Sequence, residues 1–102
     1  MPELSCTVRR VGDYESRTEE YQISYAVGAS PPRGLRIKYQ AARAYEINAA
    51  LDAAVGCARG ALSEADPGLE GPTDQILSKF TWRVIQSAKY EEGASRTTHL
   101  EL

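Results

Sequence analysis

A chain of 102 residues, 42% hydrophobic and 25% charged, has the size and composition of a single packed domain, residues 1–102, and is too short for a second. Twelve Lys+Arg against fourteen Asp+Glu give a net charge of −2, which excludes coating of nucleic acid or anionic membrane by bulk charge and leaves a local basic patch as the only charged route. The longest apolar runs fall far short of the roughly 20 residues of a bilayer span, and Met1-Pro2-Glu3 begins no charged-then-apolar leader, so the expected location is cytoplasmic.

From Leu4 to Val11, Leu4, Cys6 and Val8 alternate with Ser5, Thr7 and Arg9, the period-two pattern of a half-buried strand, which Gly12-Asp13 ends. The stretch from Tyr14 to Ala29 supports two readings. Tyr21, Ile23, Tyr25 and Val27 alternate like a strand, while Glu15, Arg17, Glu19 and Glu20 load its start with helix formers and acid. Ser30-Pro31-Pro32-Arg33-Gly34 is a breaker, because proline can neither donate to a ladder nor continue a helix. A short strand follows from Leu35 to Tyr39, with Leu35, Ile37 and Tyr39 on one face and Arg36 and Lys38 on the other.

Between Ala41 and Leu62, Ala44, Ile47, Leu51, Val55, Ala58 and Leu62 recur every three or four residues, predicting an amphipathic helix. Ala49, Ala50, Ala53 and Ala61 fall on its outer face, which a second surface could approach closely. Ser63 to Lys79 reads as an acidic, Pro/Gly-rich insertion, with Thr73 capping one short turn near its end. Phe80, Trp82 and Val84 alternate with Thr81 and Arg83, predicting a strand toward Tyr90. Glu91-Glu92-Gly93-Ala94 is a turn, and Ser95 to Leu102 closes a hairpin whose inner row is Thr98, Leu100 and Leu102. The expected core is Leu4, Val8, Ile37, Ile47, Leu51, Val55, Trp82, Val84 and Leu100.

Chemistry-bearing patterns are few. Cys6 and Cys57 form no CxxC, and with His99 as the one histidine no four-ligand zinc site can be assembled, so both cysteines are read as small buried side chains. No GxSxG, P-loop, GxGxxG or HExxH occurs, and the expectation is a protein that is not an enzyme, with no cofactor, no metal and no small-molecule substrate. The charges, however, are blocked. Arg33, Arg36, Lys38 and Arg43 follow one another without an acidic residue, and Glu64, Asp66, Glu70 and Asp74 without a basic one. Such blocks are ordinarily solvated edges. The functional reading is that a strand face bearing Arg36 and Lys38, leading to Arg43 at a helix start, joins three cations to the positive end of the helix, a combination that binds phosphate.

Three segments resemble the Alba family of small archaeal chromatin and RNA-binding proteins. Leu35-Arg36-Ile37-Lys38 leading into Ile47-Asn48-Ala49-Ala50-Leu51-Asp52-Ala53-Ala54 is similar to that family's second strand and second helix. Val84-Ile85-Gln86-Ser87 looks like the end of its third strand, and Arg96-Thr97-Thr98-His99-Leu100-Glu101-Leu102 like its closing strand. The resemblance spans residues 35–62 and 80–102. It implies an α/β fold, a βαβαββ two-layer sandwich with Tyr14 to Ala29 as the first helix. The residues alone keep an alternative open, an α+β fold in which that stretch forms an N-terminal β-hairpin, ordered ββ-β-α-ββ.

The resemblance also implies a nucleic-acid-binding function, for DNA or RNA, exercised as a homodimer. Arg36, Lys38 and Arg43 would contact phosphates, with Arg17, Arg83 and Arg96 as secondary contacts and little sequence specificity. The departures from the family concern the same function. Its lysine pair and proline at the first helix are replaced by Asp13-Tyr14-Glu15, its Arg-Gly-Arg turn by Gln40-Ala41-Ala42-Arg43, and its gripping arm by a short turn tipped with Glu91-Glu92. These changes predict weaker duplex binding or a different ligand. The alternative is a non-enzymatic protein-interaction or structural paralogue acting through the Ala-rich helix or the acidic insertion. A small regulator that blocks a partner by acidic mimicry is the third reading.

Overall fold

The computed structural model describes residues 3–11, 17–68, 71–91 and 93–102. The expected end of the first strand at Gly12-Asp13, together with Asp13-Tyr14-Glu15, Glu70 and Glu92, lies outside the described residues. Six elements follow in the order β1 (Glu3–Val11), β2 (Thr18–Val27), β3 (Arg33–Gln40), α1 (Ala44–Ala65), α2 (Asp74–Ala88) and β4 (Ser95–Glu101). The strands form one antiparallel sheet, ordered β3-β2-β1-β4, and both helices cover the same face of it. The chain thus adopts the expected small two-layer α/β class with four strands and two helices among the described residues, in the order βββααβ. No helix among them is long and apolar enough to cross a membrane.

The double reading of Tyr14 to Ala29 resolves to strand over β2. Glu19, Tyr21, Ile23, Tyr25 and Val27 are buried at every second position, a period that only an extended chain can present to one core. β2 pairs with β1 through Leu4↔Val27 and Val8↔Ile23, making the N-terminal hairpin of the alternative reading. Leu4, Cys6 and Val8 are buried and Thr7 and Arg9 are not, as the alternation of β1 predicts.

Of the stretch from Phe80 to Tyr90, expected as a strand, Phe80 to Ala88 is helical and belongs to α2, and Lys89 and Tyr90 form the turn after it. The true period of α2 is three to four: Leu77, Phe80, Thr81, Val84, Ile85 and Ala88 are all buried. Thr73 caps the helix by accepting a hydrogen bond from the Ile76 amide at 3.3 Å. The apparent alternation arose because Trp82 sits on the helix flank, half-buried against Tyr39 at 6.2 Å between ring centroids. Val84-Ile85-Gln86-Ser87 is therefore helix, and β4 pairs with β1 rather than with residues 80–90. Between α2 and β4 the Ala94 amide bonds to the Glu91 carbonyl at 3.1 Å and Gly93 takes a φ of 79° that favours glycine, in a connection from helix to strand rather than the expected hairpin turn. Ser63 to Lys79 holds the last residues of α1, a connection and the first turns of α2.

The orientation of α1 also corrects the sequence reading. Ala50, Ala54, Ala58 and Ala61 lie on the buried face with Val55 and Leu62, while Ile47 and Leu51 are half-buried at its margin. Ala50 and Ala61, expected outside, are core. The reason is volume: β2 and β3 contribute Tyr21, Tyr25 and Tyr39 to the same core, and rings of that size leave room only for methyl groups opposite. Trp82 and Leu100 likewise pack at the margin, whereas Leu4, Val8, Ile37, Val55 and Val84 are fully in the core. Thr81 is buried on the core face of α2 because its hydroxyl lies 2.5 Å from that of Tyr25, so the two satisfy each other.

Candidate functional site

With both helices on one side, the other face of the sheet is open. It carries Ser5, Thr7 and Arg9 of β1, Glu20, Gln22 and Ser24 of β2, Gly34, Arg36 and Lys38 of β3, and Ser95, Thr97 and His99 of β4, the residues that alternate with the core rows. Short hydroxyl side chains occupy its middle, where the Thr7 and Thr97 hydroxyls lie 2.9 Å apart. A shallow depression of about 260 Å³ is lined by Thr7, Arg9, Gln22, Ile23, Ser24, Gly34 and Ser95. Arg9 donates to the Gln22 side chain across it at 3.1 Å.

The six cations singled out from the sequence fall in three places. Arg36 and Lys38 project from the open face of the edge strand β3, opposite Gln22 and Glu20. Arg43 is the N-cap residue of α1, as expected of a cation at a helix start. Arg17 precedes β2 beside them, its carbonyl accepting the Ala41 amide at 3.4 Å. Arg17, Lys38 and Arg43 lie toward the corner where β2 begins, β3 ends and α1 starts, and Arg36 follows Lys38 inward along β3 on the face opposite the helices. Arg83 does not join them, because it lies on the exposed side of α2 in the helix layer rather than on a strand. Arg96 is on β4 at the opposite edge, bonded to Glu91.

The corner is less positive than its cations alone. Arg36 pairs with Glu20 at 3.4 Å and Arg43 with Glu46 at 3.2 Å. Glu46 also accepts the Gln40 amide at 3.2 Å, which fixes the bend from β3 into α1. Among the described residues, Arg17 and Lys38 form no ion pair, so four cations stand against two surface carboxylates. Exposed pairs of this kind contribute between nothing and about 1 kcal/mol, so a phosphate can draw either guanidinium away at small cost.

Two contributors escaped the sequence reading. Tyr45, 67% exposed, stands in the first turn of α1 with its hydroxyl 3.3 Å from the Arg43 guanidinium. Its position off the Ile47–Leu51 stripe was the available signal. Arg9 was assigned to the outer row of β1 but not connected to β3, since that needs the register across β2. Among the described residues no group of three His, Cys, Asp or Glu could hold a metal. The Cys6 thiol is pushed up to about 12 by burial, so it stays protonated at neutral pH, and burial also raises Cys57. No known protein family matches the chain, nor does any curated protein or solved structure.

Proposed function

We propose that the protein is a non-catalytic nucleic-acid-binding module that holds backbone phosphates at the β3–α1 corner without reading sequence. The observation that carries this reading is the pair Arg36 and Lys38 in one row on the open face of β3, with Arg17 before β2 and Arg43 before α1 at the end of the sheet toward which that row runs. The exposed Tyr45 ring next to Arg43 supports single strands over duplex, because stacking on a tyrosine needs a base free of its own stack. Arg83 and Arg96 have no part in this contact.

A titration over a range of salt concentrations against single-stranded DNA, duplex DNA and structured RNA tests the reading. Binding is expected on the single strand first. Each of Arg36→Ala and Lys38→Ala should flatten the slope of log K against log[salt] by about 0.7, the counterion release of one single-strand phosphate. Tyr45→Ala should weaken binding without changing that slope. If Arg36→Ala with Lys38→Ala leaves affinity for all three ligands unchanged, the reading falls. The protein-interaction reading would then take its place, favoured by the carboxylates of Glu20 and Glu46 already seated on Arg36 and Arg43.

A further inference from the structure

The two edges of the sheet differ in a way that identifies a partner. The Gly28 amide bonds to the Glu3 carbonyl at 3.3 Å, so in β1 the odd-numbered residues turn their backbone groups toward β2. Leu4, Cys6, Val8 and Arg10 therefore turn theirs toward β4, consistent with the Gly93 amide bonding to the Arg10 carbonyl at 3.2 Å. Within β4, Arg96, Thr98 and Leu100 bond to β1, leaving Ser95, Thr97, His99 and Glu101 to aim their amides and carbonyls outward. The same alternation leaves Gly34, Arg36, Lys38 and Gln40 facing outward on β3.

Each edge could in principle pair with itself about a two-fold axis. On β3 that would bring Arg36 and Lys38 of two copies together, and like charges directly opposite are destabilising. On β4 an axis at Leu100 does the reverse. Leu100 meets the partner's Leu100, Thr98 meets the partner's Leu102, and on the open face His99 meets the partner's Glu101 twice over. Axes at Thr98 or His99 instead set Arg96 against the partner's Leu100, or His99 against the partner's His99. The Leu100 register also relieves a fault within the chain, where Glu3 and Glu101 are directly opposed with only His99, 3.5 Å from Glu3, between the charges.

Apolar surface is available at the same level. Trp82 turns one flank of α2 toward Tyr39 and α1, so the other flank, with Ile76 and Arg83, overhangs the β4 edge. Ile76 is 47% exposed and lies about 18 Å along α2 from its end, while Leu100 lies about 17 Å along β4 from its start. The two elements run antiparallel, which sets Ile76 at about the height of Leu100 along the sheet.

We infer that two copies of this chain join through antiparallel β4 strands about an axis at Leu100, making one eight-stranded sheet with Ile76, Leu100 and Leu102 buried between them. This inference is independent of the nucleic-acid reading. The short interface predicts micromolar rather than nanomolar association.

Sedimentation equilibrium of the full chain from low to high micromolar concentration should show monomer passing to dimer. Glu101→Lys should weaken the dimer roughly tenfold, since it removes two symmetry-related carboxylates that accept from the partner's His99, and His99→Glu with Glu101→Lys should restore it by facing each Lys with a carboxylate. Both changes lie on exposed side chains and leave the core intact. Leu100→Cys should cross-link across the axis on mild oxidation, where opposed Cα atoms fall within disulfide reach, while the unaltered chain should not. Monomer at every concentration overturns the inference. So does a dimer whose constant is the same for the Glu101→Lys variant as for the unaltered chain, which would place the contact elsewhere.

Discussion

Cys6, Tyr21, Tyr25 and Tyr39, four groups that ionise only in alkali, share one core and are all held neutral by it. Burial is the first cause in each case, pushing Cys6 and Tyr39 up to about 12 and Tyr21 and Tyr25 higher still. Tyr21 is raised further because its hydroxyl donates to the buried Glu19 carboxylate at 2.6 Å, a bond lost on ionisation. A folded pKa above the unfolded one means that the unfolded chain releases its protons first. Stability from these groups is therefore complete below pH 9 and is lost as pH rises toward 12. The urea midpoint should be flat from pH 7 to 8.5, fall from about pH 9 and collapse once the tyrosines join above pH 10. Cys6→Ala should lower the midpoint at neutral pH through its small cavity, yet make the decline between about pH 9 and 10 shallower, because only the Cys57 thiol is then left to drive it there. A decline between pH 9 and 10 that is equally steep in both proteins would show that Cys6 does not drive it.

Among the elements, α2 depends most on a signal that local alternation conceals. Its first turn is secured by Thr73, so Thr73→Ala should cost about 0.5–2 kcal/mol in urea unfolding, the usual effect of losing a cap. Thr73→Ser should recover most of that. The sequence showed the cap but not the helix behind it, because Phe80, Trp82 and Val84 mimic a strand when only alternate positions are read. β1, β3 and α1 were legible, since each carries its period within its own length. The side of α1 that packs inward was not legible: alanine fits either face, and only the tyrosines of β2 and β3 decide. The same limit applies to the site. Arg36, Lys38 and Arg43 could be placed on a strand face and a helix start from local pattern alone. Glu20, the carboxylate partner of Arg36, comes from β2 and Arg17 stands just before that strand, and long-range register is invisible to periodicity.

At the scale of the molecule, the charged edge at β3 and the self-complementary edge at β4 lie on opposite sides of one sheet. Joining copies through β4 leaves both β3–α1 corners at the outer rims, seven strand spacings or about 34 Å apart. If the β3–α1 corners hold phosphate as proposed, a dimer so built presents two equivalent ones that one polynucleotide can reach in succession. The second contact is then intramolecular, and affinity exceeds that of a single corner without any new contact. An oligonucleotide too short to span the rims should bind the unaltered chain and Glu101→Lys equally, because Glu101 is remote from the corner. A single strand long enough to span them should favour the unaltered chain by at least tenfold at concentrations where it dimerises, an advantage that vanishes on dilution below the dimer constant. Restoring the dimer with His99→Glu and Glu101→Lys should restore that advantage as well. If long and short strands distinguish the two proteins equally, the corners act singly and the dimer serves stability alone.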